Sequence, residues 1–213
     1  MAPIVVRMLP AAHLAGTEVA LSIALGVGLA AAVGLRVFLP MLVLSVAAFS
    51  GHAHLSAGFA WLGTAPALLT LAVAAVLEVI AYYIPGVDNL LDALATPAAL
   101  IAGTVVAAAV MTELPPLVKW STAVIAGGGA AGLTQGITSL LRLKSTTLTA
   151  GAGNHVLATG ELVGSLGVSL LALAAPLLAV AVVAVFCVLA IRILRRLFRR
   201  AARSEGSPSR AGP

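Results

Sequence analysis

Six long apolar stretches, each closed by a short polar break, leave this chain one kind of environment in which to fold. They run over Leu21–Phe49, Trp61–Ile84, Pro97–Thr112, Leu117–Leu141, His155–Ala174 and Pro176–Leu197. A helix needs about 20 apolar residues to cross a ~30 Å hydrocarbon core. In lipid, every backbone polar group must be satisfied within the segment. The pattern therefore predicts an all-α fold, a polytopic transmembrane helix bundle of about six spans. Only 9% of the 213 residues are charged, too few to cover a water-facing surface, where about 25% is usual. Aromatics make up 4%, so the apolar mass is small side chains that let helices approach closely.

Two boundaries need argument. Leu21–Phe49 is too long for one perpendicular helix, so it is tilted, broken near Gly34 or Pro40, or begins at the interface. Within residues 160–197, the stretch from Glu161 to Leu194 could form one helix kinked at Pro176. Some 34 helical residues would extend about 50 Å, well beyond the core, so two spans with Pro176 opening the second are expected. Residues 1–20 read as a polar lead-in, in one reading an interfacial helix. Arg7, Pro10, His13 and Glu18 interrupt any signal-peptide core, so the segment is expected to be retained. Residues 21–197 form the membrane domain, and 198–213 a basic, disordered cytoplasmic tail.

The formal charge of +5 is unevenly spread. Seven of the twelve Lys and Arg follow Ile191: Arg192, Arg195, Arg196, Arg199, Arg200, Arg203 and Arg210. A basic cluster directly after a span marks its cytoplasmic end and favours the anionic headgroups of the bilayer. Nucleic acid is not an expected partner. Six spans would return the N-terminus to the cytoplasmic side as well, in a multi-pass protein of the cell inner membrane. The Gly/Ala-rich faces are compatible with a homodimer.

An internal duplication is one reading of the pattern. Ala32-Val33-Gly34-Leu35-Arg36 echoes Ala130-Ala131-Gly132-Leu133-Thr134. The second and fifth spans each hold a lone glutamate, and the third and sixth each start at a proline. Copies of three spans would form a 3+3 inverted repeat.

Chemistry is sparse. Cys187 stands alone, and His52-Ala53-His54 lacks a third ligand, so no metal and no cofactor is expected. No nucleophile–base constellation suggests an enzyme. The informative residues are polar groups inside apolar stretches: Arg36, Glu78, Gln135 and Glu161. A charge at bilayer depth costs at least ~2.5–3.5 kcal/mol and normally faces a partner or water. Glu78, Gln135 and Glu161 each lie about six residues from the cytoplasmic end of the span, roughly 9 Å deep, and Arg36 does too if the first span crosses over Ala30 to Phe49. Four spans thus bring polar groups to one level, which suggests a polar cavity open to the cytosol. Two ionised glutamates there would repel, so a proton, a cation or Arg36 must neutralise one. The competing reading is an ion pair that only pins two helices.

After Glu78 comes Ala81-Tyr82-Tyr83-Ile84-Pro85-Gly86-Val87-Asp88-Asn89-Leu90-Leu91-Asp92. Pro85-Gly86 ends a helix, and Asp88 can cap a short second one. Asp88 and Asp92, four apart, would share a face, either as cap and solvated turn or as an acidic entrance beside Glu78. Gly127-Gly128-Gly129 permits close helix contact or local unwinding. Thr146 to His155 reads as a polar cytoplasmic loop.

The run from Glu78 to Pro97, the stretch Ala24–Pro40 and Ala126–Gly132 together resemble the family of small bacterial integral membrane proteins called domain of unknown function 4126, over roughly Leu21 to Leu197. The resemblance implies a bacterial inner-membrane protein and brings no established activity. The sequence is read as a small secondary transporter or permease with a cytoplasm-facing polar site. A non-transporting scaffold or envelope-maintenance protein is the alternative.

Overall fold

The computed structural model describes residues 11–84, 87–149 and 151–205, and among these the structure is helical throughout, without strands. Helix α1 spans Ala11–Val33, α2 Phe38–Phe49, α3 Ala65–Tyr82, α4 Val87–Val110, α5 Pro116–Thr122, α6 Gly129–Thr149, α7 Asn154–Ala174 and α8 Pro176–Glu205. A 3₁₀ segment, Ala57–Gly63, leads into α3, and a π segment, Ala123–Gly128, joins α5 to α6 without a break. Among the described residues six helical stretches are long and apolar enough to cross a membrane, the continuous Pro116–Thr149 counted as one, with α2 a shorter apolar helix.

Contacts fix the helix directions. A Cβ on Gly26 would meet Ala107 and Met111, and one on Gly103 approaches Ala30, so α1 runs antiparallel to α4. A Cβ on Gly28 would meet Ala172 near the end of α7, while Arg36 reaches Ala158 near its start, so α1 opposes α7 as well. The first apolar stretch does break at Gly34, but it is not one tilted span. From the break at 34–37, α2 turns back along α3. Its start bonds Glu78 near the end of α3, and Ser45 near its end bonds the carbonyl of Leu62 just before α3 begins. Helices α1 and α2 are thus the arms of a hairpin whose tip lies inside the bundle. This adds one reversal to the expected six. The start of α1 and the end of α8 therefore lie at opposite ends of the bundle.

Other boundaries move for physical reasons. Pro97 does not open a span; it sits inside α4. A membrane helix can absorb the lost N–H because breaking it there would strand several backbone groups in lipid. The short helix expected at Asp88 is therefore the first turn of α4. Helix α6 continues to Thr149, so the polar loop shrinks to residues 150–153, and Gly151 turns it with φ 90°. Pro176 opens α8 as expected, after a separate α7. Helix α8 runs on to Glu205, past the boundary expected for the tail; 206–213 and 1–10 lie outside the described residues. The echoing segments lie on α1 and α6, which run in the same direction, since both oppose α4: Gly127 packs on Ala107, and Gly132 on Leu100. Inverted copies would oppose them, so these two helices are not related in that way.

The core is a seam of small residues. Leu29 and Val33 of α1 are buried with Ala99 and Val106 of α4, and Ala30 with Ala107. Gly103 and Gly127 face each other across α4 and the π segment, where a Cβ on Gly127 would lie 3.0 Å from the Gly103 carbonyl. The glycine run thus serves close contact, with the helix widened there and not unwound.

Candidate functional site

The hairpin tip delivers Arg36 into the bundle. Its guanidinium is 1% exposed, donates to the Ala158 carbonyl at 2.9 Å and lies 3.5 Å from Glu161 on α7. Glu161 also accepts a hydrogen bond from Arg142 on α6, and Arg142 Nε lies 3.4 Å from Asp92 on α4. Both guanidiniums lie against the ring of Tyr82, with Cζ atoms 3.9 and 4.4 Å from its centroid. This is a cation–π geometry that strengthens when desolvated. The Tyr82 hydroxyl donates to Asp92 at 3.3 Å. Five charged or aromatic groups from α3, α4, α6, α7 and the tip thus form one buried cluster.

Three of the expected site residues, Arg36, Asp92 and Glu161, come together here. Glu78 sits beside them in a different role. Its carboxylate accepts from the backbone N–H of Val37 at 2.7 Å and of Phe38 at 3.0 Å. Those donors open α2 and have no partner within the helix. A carboxylate there also meets the positive end of the helix dipole. Glu78 is therefore the remote cap that lets the hairpin turn.

Asp88 does not form an acidic entrance with Asp92. It is 5% exposed and accepts from the side-chain amide of Asn154, which also reaches Thr146 at 3.0 Å. Those contacts tie the start of α4 to the start of α7 and the last turn of α6. Gln135 does not join the cluster; its amide donates to Ser139. It lies seven residues before Arg142, roughly 10 Å further along α6, because α6 outlasts the span assumed for it.

Arg142 and Tyr82 were missed. Arg142 reads as a loop cation because the apolar pattern ends at Leu141, yet the helix carries it inward. The clue was the lack of any proline or glycine between Gly136 and Gly151. Tyr82 adjoins Pro85-Gly86 and reads as an interfacial aromatic.

Two apolar cavities flank the cluster. One, of about 400 Å³, lies among the tip and α6, α7 and α8, with Glu161 the one ionisable residue on its wall. The other, about 390 Å³, lies among α2, α3 and α4 and is bounded by Glu78 and Tyr82.

Long apolar helices, a hairpin tip inside the bundle and buried charges held by charged or hydrogen-bonding partners define a polytopic helical membrane protein. The family model described as "Domain of unknown function (DUF4126)" matches residues 23–196, and the chain belongs to that family. No curated protein and no solved structure matches it.

Proposed function

We propose that this protein is a small secondary transporter of the bacterial inner membrane, with the Arg36–Glu161–Arg142 cluster as its central site. The observation that carries this reading is the helix broken inside the bundle, which sets a charged tip against charges from four other helices. Irregular backbone at membrane depth is tolerated where it is buried or lines a cavity, and transporters place binding sites at such breaks. A scaffold needs no such break, and a single ion pair would pin two helices equally well.

The exposed Arg192, Arg195 and Arg196 near the end of α8 assign that face to the cytoplasm by the positive-inside rule. The start of α1 is then outside, and the cluster lies towards the cytosol. The C-terminal arginines meet anionic headgroups. Impermeant maleimide applied to intact cells is expected to label Glu18→Cys and Ser50→Cys and to spare Ala152→Cys. Protection of Glu18→Cys would return both ends to the cytoplasm.

Transport itself is tested in proteoliposomes carrying an internal pH dye and challenged with a panel of organic anions and cations. At least one solute should drive proton movement, and Glu161→Gln should abolish it while the protein remains monodisperse. Absence of flux with every solute favours the scaffold.

A further inference from the structure

Resting on the transporter reading, we propose that the transported species is an amphipathic monocarboxylate, and that the Glu161 carboxylate occupies the place of its head group. Three observations converge on this. First, the two guanidiniums converge on a single carboxylate oxygen, Glu161 Oε2. Second, their hydrogen-bonding capacity is not met. Arg36 Nε and Nη1 and Arg142 Nη1 are buried without a hydrogen-bond partner, and Arg142 Nε meets Asp92 only as an ion pair. Buried polar groups are nearly always satisfied, and a planar carboxylate is the acceptor that guanidinium forks match. A ligand that presents both of its oxygens supplies what Glu161 leaves short.

Third, the Glu161 carboxylate stands on the wall of an otherwise apolar chamber bounded by Leu35, Leu157, Val168, Val183 and Phe186. Its volume of about 400 Å³ falls in the range of small-molecule sites, which are mainly apolar with a few polar groups that orient the ligand. One carboxylate at the edge of an apolar chamber is also the layout of an amphipathic acid. A cationic head would meet both arginines and be repelled.

The exchange balances in protons and charge. The ligand arrives as R–COO⁻, and Glu161 takes one proton from water and leaves the guanidiniums. Its carboxyl then turns to the hydroxyls of Thr134 and Thr138, which also line the chamber. No covalent bond forms or breaks beyond that O–H. The buried site keeps its net charge, so one proton and one carboxylate cross together. The groups facing Glu161 are Arg36 at the tip, Arg142 on α6, Asp92 on α4 and, further off, Glu78 on α3. Tyr82 backs both arginines.

Octanoate is the probe, measured by equilibrium dialysis against the purified full-length protein, with acetate and octylammonium for comparison. Octanoate should bind saturably and more weakly as pH rises, while acetate and octylammonium should not compete. Glu161→Gln should bind roughly tenfold tighter and lose the pH dependence. A Cβ on Gly160 meets nothing within 4 Å and the residue lines the chamber, so Gly160→Leu should fill it and remove octanoate binding without unfolding the protein. Equal octanoate affinity in the wild type and in Glu161→Gln would overturn the proposal, as would octylammonium binding or an unaffected Gly160→Leu. Proton-linked flux of other solutes without octanoate binding refutes this inference and leaves the transporter reading standing. Octanoate binding without any flux refutes the transporter reading and, with it, the transported species, and leaves only a carboxylate-binding site.

Discussion

Arg142→Met is expected to destabilise the protein by about 3–5 kcal/mol, the scale for removing one partner of a buried ion pair. Methionine matches the arginine stem in bulk, so packing changes little and the loss is electrostatic. Arg142 is 1% exposed and serves Glu161 and Asp92 together. Without it, Glu161 keeps only the longer contact to Arg36, and Asp92 keeps only the Tyr82 hydroxyl. Unfolding of the purified protein in mixed micelles, followed by helical ellipticity, measures the change. Arg142→Met combined with Glu161→Gln should recover a substantial part of the loss, because neutralising the stranded carboxylate removes the larger penalty; contacting residues couple by 0.5–3 kcal/mol in such cycles. Arg142→Lys should remain destabilised, since a compact ammonium cannot both stack on Tyr82 and span two carboxylates. Full stability in Arg142→Met would mean that the pairing contributes nothing.

That prediction turns on a residue that hydropathy places in a loop. Sequence patterns find where lipid begins and ends; here they mark the apolar stretches and offer Gly34 as one of two places for a break, beside an unbroken tilted span. They also singled out Arg36, Asp92 and Glu161, because a charge within or beside an apolar run is conspicuous. What they cannot supply is direction. The segments before and after Gly34 read alike whether α2 continues α1 or folds back on it. The choice depends on Glu78, forty residues away, capping the open end of α2. Pro97 misleads for a related reason: it marks a boundary in water, where an interrupted helix can hydrogen-bond to solvent, but not in lipid. Depth counted from assumed span ends fails wherever a helix outruns its apolar pattern, which is why Gln135 falls away from the cluster and Arg142 enters it.

Gly34→Ala is expected to be the most damaging single-methyl addition in the bundle. The new Cβ would collide with the backbone carbonyl of Ala131, and it would lie 2.7 Å from the Thr134 Cβ and 3.0 Å from the Gln135 nitrogen. Overpacking a tight site typically costs about 1–3 kcal/mol. This case belongs at or above the top of that range because two of the three obstructing atoms are backbone and cannot be trimmed. Gly103→Ala provides the contrast. Its closest obstruction is the Ala131 methyl, with the Gly127 carbonyl next at 3.2 Å. Adding Ala131→Gly should therefore restore part of the stability lost in Gly103→Ala, whereas Thr134→Ala, which keeps the Cβ, should restore none in Gly34→Ala. Gly136→Ala meets nothing within 4 Å and should be neutral or stabilising by up to about 1 kcal/mol, the helix-propensity difference. Thermal midpoints of the purified variants rank them, and equal midpoints for Gly34→Ala and Gly136→Ala would refute the close approach of α1 to α6. The consequence reaches the site, because Gly34 stands two residues before Arg36. A hairpin pushed away from α6 withdraws that guanidinium from Glu161, so Gly34→Ala should weaken any ligand binding even at temperatures where the bundle is still folded.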